Sequence, residues 1–236
     1  YLIDFIRRKL NFNFINSILF FSILFLNPYI VRNHLFQPVQ AHDILFFSFG
    51  LIFAYTVIKK DYFLNITTII FCIFLRQTSI AMFLASSIYF IINKKFKSFF
   101  ILLIIFTLFF LLIINIGNSI SSHVFPIHLT YRLLFYDFSN LEKLFKFFLL
   151  PLVAFFPLFI FFIGSKKEDI DYKAAYTLLF CCLLMIGQPL AAGPDGSLGN
   201  VVRIANLCFP ILAVAIFYIF DFSNIFKNRI IFFIFN

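Results

Sequence analysis

The sequence predicts an all-α chain, a polytopic transmembrane helical bundle of about eight spans with truncated ends. Three observations carry that expectation. Hydrophobic residues make up 63% of the 236 positions, only 12% are charged, and the mean hydropathy is +1.02. A water-soluble domain of this size has too little interior to hide so much apolar surface. The apolar residues also fall into runs that cross, or nearly cross, a hydrocarbon core about 30 Å thick. Lysine and arginine, finally, gather in alternate gaps between the runs, as the positive-inside rule describes.

In chain order, Tyr1-Leu2-Ile3 reads as the tail of an earlier span. Runs follow at 12–31, 42–58, 62–75, 77–92, 97–116, 146–163, 174–190 and 203–220, and Ile230 to Phe235 reads as the opening of another. The whole of 1–236 is expected to form one transmembrane domain, cut at both ends. A backbone in lipid must satisfy its own hydrogen bonds, so each run is a helix.

The stretch 62–92 admits two readings, one long helix or two short ones hinged at Arg76-Gln77-Thr78-Ser79. The hairpin puts Arg7, Arg8, Lys9, Lys59, Lys60, Lys94, Lys95, Lys97, Lys166, Lys167, Lys173, Lys227 and Arg229 on one side. Arg32, Arg76, Arg132, Lys143, Lys146 and Arg203 remain on the other. A single long helix would split the basic clusters between the faces, so the hairpin is favoured, with the lysine-rich face cytoplasmic. The net charge of +9 then marks topology and contact with membrane lipids. No nucleic-acid partner is expected.

Several function classes drop out. The 42 Phe and 10 Tyr, with no Trp, accompany abundant Ile, Asn and Lys, as an AT-rich coding sequence produces. Cys72, Cys181, Cys182 and Cys208 lie inside apolar runs without His at ligand spacing, which argues against a zinc site or a disulfide framework. No cofactor is expected, and the residues give no support for a divalent metal. The chain holds no Walker loop, dinucleotide fingerprint, His-Glu-x-x-His motif or Gly-x-Ser-x-Gly elbow.

The non-cytoplasmic side carries the remaining chemistry, including His34, His42, His123 and His128. Arg76 is the sharpest signal. The helix before it rises only about 21 Å, so the tip Arg76-Gln77-Thr78 should sit below the membrane surface. An arginine there costs roughly 2.5–3.5 kcal/mol unless it faces water or an anion. The alternative is that Arg76 snorkels to the headgroups.

The segment 188–200 is the only Gly/Pro-rich stretch. It contains Gln188 and Asp195 and leads to Arg203. Its backbone N–H groups could line an anion site, or it could be a plain turn with Arg203 as an interfacial anchor. Asp43, after His42, suits a helix N-terminus on electrostatic grounds alone, and a substrate contact is the second reading. The segment 117–145 is the longest outer loop, with Arg132 inside it, and 128–148 has the pattern of an interfacial helix.

Asn27-Pro28 near a span end, Ala41-His42-Asp43 opening a helix, and Phe74-Leu75-Arg76-Gln77-Thr78-Ser79 closing a short one together resemble the middle of the GT-C membrane glycosyltransferases. Residues 1–85 are most similar to the dolichyl-phosphate-glucose-dependent α-1,2-glucosyltransferase branch, where an Arg-Gln-Thr-Asn motif sits at the matching hairpin. Here Ser79 replaces that Asn, and Gly193-Pro194-Asp195-Gly196 has no counterpart, so the resemblance is drawn to the wider superfamily. It implies transfer of a sugar from a polyprenyl- or dolichyl-phosphate donor to a glycan or lipid acceptor on the non-cytoplasmic face.

Under that resemblance the catalytic carboxylates are expected upstream of Tyr1. Arg76, Arg203 and Arg132 would hold the donor phosphate, while Asp43, His42, Gln77, Gln188 and Asp195 would contact substrate. A transporter or flippase, or a polymerase or ligase of lipid-linked sugars, remains the rival class. Short loops and the lack of an outward glycosylation sequon point to a bacterial inner membrane with a periplasmic site, the endoplasmic reticulum being the alternative.

Overall fold

The computed structural model describes residues 2–25, 41–76, 78–120, 167, 168, 170–191 and 207–221. All its regular elements there are helices: α1 (Leu2–Lys9), α2 (Phe14–Phe25), α3 (Ala41–Lys59), α4 (Tyr62–Leu75), α5 (Ser79–Ile92), α6 (Phe96–Ile120), α7 (Tyr172–Ala191) and α8 (Phe209–Ile219). The run at 146–163 lies outside the described residues. Helix α6 continues to Ile120, so it takes the first residues of the segment read as the outer loop; the rest of 117–145 lies outside the description.

One expectation is overturned. Among the described residues no helix is long and apolar enough to cross a membrane, so the expected polytopic transmembrane bundle is not supported. The reason lies in where the polar residues fall. Helices α1, α2, α4, α5 and α8 have 8 to 14 residues and rise about 21 Å at most. The longer three are interrupted near their ends: α3 between Asp43 and Lys59, α6 between Ser98 and Asn115, α7 between Lys173 and Gln188. The stretches between those positions rise only about 21–24 Å, short of a core about 30 Å thick. The sequence reading ran 42–58 through Asp43, 97–116 through Ser98 and Asn115, and 174–190 through Gln188.

Helices α3, α4, α5 and α7 pack as a ring, each touching the next. Helix α6 lies against α4 and α5 on one side, α8 against α3 and α7 on the other, and α2 packs outside α8. Phenylalanine fills the joints. Phe12, Phe20 and Phe217 make mutual ring contacts between α2 and α8, and Phe83 stacks on Phe106 between α5 and α6. A Cβ on Gly50 of α3 would come within 3.0 Å of Pro210 on α8, so the glycine is what lets those two helices meet.

The ends of the helices are set locally. Lys60 and Lys94 adopt positive φ (58° and 56°) just past α3 and α5. In each case the next residue's N–H returns to the last turn: Asp61 to the Thr56 carbonyl, Lys95 to that of Phe90. That is the Schellman stop, made here without glycine. Asp61 then caps α4, its carboxylate accepting from the Leu64 N–H at 3.1 Å.

A buried polar stitch ties three helices. The Asn65 amide donates to Thr56 Oγ1 at 2.9 Å and accepts from Ser86 Oγ at 2.8 Å, while the Tyr89 hydroxyl donates to the Val57 carbonyl at 2.9 Å. These bonds tie α4 and α5 to each other and to the end of α3. They also bury Asn65 to 1% exposure, which removes Asn65-Ile66-Thr67 as a glycan acceptor.

Candidate functional site: an arginine held by a buried aspartate

The chain breaks between α4 and α5 at Arg76. Its own N–H still bonds back to the Cys72 carbonyl, but its backbone is extended, φ −156° and ψ 141°. The next helix starts at once, with the Ser79 N–H donating to the Arg76 carbonyl at 3.1 Å. The side chain therefore leaves a sharp corner at one end of the ring. The C-terminal end of α4 bears partial negative charge, which favours a cation there.

Asp43 reaches the same corner from the first turn of α3, where a carboxylate is favoured for the opposite reason. Arg76 Nε and Nη2 both meet Asp43 Oδ1, at 2.6 and 2.5 Å. The carboxylate is 3% exposed and the guanidinium side chain 31%. Asp43 is thus the buried anchor, and Arg76 carries the pair outward. The bond uses one edge of a planar group that has five N–H donors, and the Nη1 edge takes no part in it. A guanidinium fixed along one edge presents the other in a set orientation. That geometry suits a two-oxygen contact with a phosphate or carboxylate.

Of the residues read from the sequence as a site, the structure joins these two. His42 and Gln188 lie on α3 and α7, but their side chains are outside the described residues, as are Gln77, Arg132, Asp195 and Arg203 altogether. Thr78 and Ser79 are buried beside the corner. Among the described residues no group of His, Cys, Asp and Glu could hold a metal ion.

The opposite end of the ring holds a second polar cluster that the sequence did not reveal. Lys60 pairs with Asp171 at 2.8 Å, and the Asp171 N–H donates to the Tyr218 hydroxyl. Burial works against the Asp171 carboxylate, but the Lys60 hydrogen bond and charge prevail and hold its pKa below the ordinary range. The same bond holds the Lys60 ammonium above its ordinary value. Asn13 and Asn16 both donate to Asp221 Oδ1. Lys167 donates to the Phe217 carbonyl at 2.9 Å and sits 5.5 Å from the Phe12 ring centroid. Burial pushes its pKa down, against the pull of Asp221. These contacts fasten α2, α3, α7 and α8 together, which is a structural task.

Comparison with protein-family models, with curated proteins and with solved structures found no match.

Proposed function

We propose that this chain is a glycosyltransferase component that uses a polyprenyl-phosphate-linked sugar, with Arg76 holding the donor phosphate and Asp43 orienting Arg76. The observation that carries the reading is the paired corner itself. A guanidinium anchored along one edge by a carboxylate 3% exposed, and itself 31% exposed, is built to meet an anion from outside. The Arg-Gln-Thr resemblance supplies the class of anion. A leaving lipid phosphate gains charge as the glycosidic bond breaks, and a fixed cation stabilises that charge at no cost of reorganisation. Arginine keeps its proton throughout.

On this reading Asp43 is a positioning residue rather than a base, because its carboxylate is buried against Arg76. Arg203 and Arg132 are further donor-phosphate contacts, and the general base that takes the acceptor's proton comes from elsewhere.

The test is sugar transfer from a polyprenyl-phosphate donor by the intact protein. Arg76→Lys keeps the charge but loses the fork, and should cut transfer by about 10- to 100-fold, the worth of one charged hydrogen bond. Asp43→Asn should weaken transfer less. Wild-type rates in both variants, at equal folded protein, would remove the pair from the mechanism.

A further inference from the structure

The lysine-bearing end of the ring is distinct from the Arg76 corner and has its own surface chemistry. Lys59, Lys94, Lys95, Lys97 and Lys173 are all exposed there. The acids of the same end are largely engaged: Asp4 with Arg7 and Arg8, Asp171 with Lys60, Asp221 with Asn13 and Asn16. Asp61 and Glu168 are exposed and offset part of the charge. The balance stays positive among the described residues.

Aromatic side chains stand among these lysines. Phe14, Phe63, Phe96 and Tyr172 each occupy the first turn of a different helix, α2, α4, α6 and α7, at 76%, 81%, 53% and 40% exposure. Four helices thus put an exposed ring at the same end. The apolar surface then continues away from the lysines along the outer flanks. On α6 it runs through Phe100, Ile104 and Leu108, and on α7 through Tyr176, Phe180 and Leu183, all exposed and spaced at helical intervals.

We infer that this end docks on an anionic phospholipid surface, the lysines meeting headgroup phosphates and the aromatic rings among them entering the interface. Positive charge alone would also suit nucleic acid or an acidic protein. Exposed rings mark membrane or protein contact rather than nucleic acid, and the lysines that surround them favour an anionic lipid interface. Basic residues interleaved with exposed aromatic rings match the chemistry of a charged membrane interface. This inference does not depend on Arg76 or on the sugar reaction.

The chain contains no Trp, so Phe63→Trp in the full chain provides a single fluorescent reporter. The reporter protein is mixed with vesicles of phosphatidylcholine in which either phosphatidylcholine or phosphatidylglycerol is brominated, the bromine acting as quencher. Stronger quenching by the brominated phosphatidylglycerol at equal mole fraction is expected, and molar salt should abolish the difference. Each basic residue near such a surface contributes about fivefold in affinity, so Lys94→Glu with Lys97→Glu should weaken binding to the phosphatidylglycerol-containing vesicles by at least about 25-fold. A salt bridge at Lys60 is untouched by those changes, and unfolding of the variant is checked by its helical circular dichroism. Equal quenching by the two lipids would overturn the inference. So would emission that shifts with protein concentration and ignores vesicles, which would assign the surface to a second copy of the chain.

Discussion

At the residue scale, the two charges of the corner were visible in the sequence but their partnership was not. Arg76 stood out because it interrupts apolar sequence, and Asp43 because it opens a helix. Nothing local links positions 33 apart; only the packing of α3 against α4 brings a helix start to a helix end. Asn65 was overlooked for a similar reason. In sequence it is one polar residue in a run, whereas in the fold its amide bridges Thr56 and Ser86. Asn65→Ala should therefore destabilise the protein by about 2–4 kcal/mol, since it opens a small cavity and strips partners from two buried hydroxyls. Urea unfolding followed by circular dichroism would show it. A loss below about 0.5 kcal/mol would mean that the stitch is incidental.

At the element scale, the helix break at Arg76 was legible from the polar tip between two apolar runs. The lengths were harder, because hydropathy summed along a run hides the polar residues near its ends. Serine at 98 and asparagine at 115 shorten the apolar part of α6 without ending the helix, since neither interrupts the backbone ladder. Joints between elements carry two expectations. Gly50→Ala presses a methyl against Pro210 at 3.0 Å and should cost about 1–3 kcal/mol, unless α8 shifts. The melting temperature would report it.

The second joint, Lys60 with Asp171, has a defined pH window. Asp171 titrates below its ordinary value, so its contribution is present above about pH 4 and is lost as pH falls through the lowered folded value. Lys60 titrates above its ordinary value, so its contribution is present below about pH 10.4 and is lost as pH rises through the raised folded value. Both side chains keep solvent contact, which limits the pair to about 0–1 kcal/mol. Wild type and Lys60→Gln should thus differ slightly in stability between pH 5 and 9, and the difference should shrink from about pH 4 downwards. A difference that grows in acid would contradict the assignment.

At the scale of the whole molecule, the apolar runs were read as helices and the described regular elements are helices, while large side chains such as Phe14, Phe63, Ile104 and Leu108 stay exposed among the described residues. The ring of α3, α4, α5 and α7 has two unlike ends. Among the described residues, one displays the anchored Arg76 guanidinium, the other a set of lysines and aromatic rings. That polarity puts the proposed anion contact and the basic surface on opposite ends of one short bundle.

Binding of a short-chain polyprenyl phosphate to the intact protein tests that assignment most directly, with wild type, Arg76→Lys and Arg76→Gln titrated side by side. Saturable binding by wild type is expected, weakened about 10- to 100-fold in Arg76→Gln and partly restored in Arg76→Lys. The same affinity in all three would show that the guanidinium held by Asp43 meets no lipid phosphate.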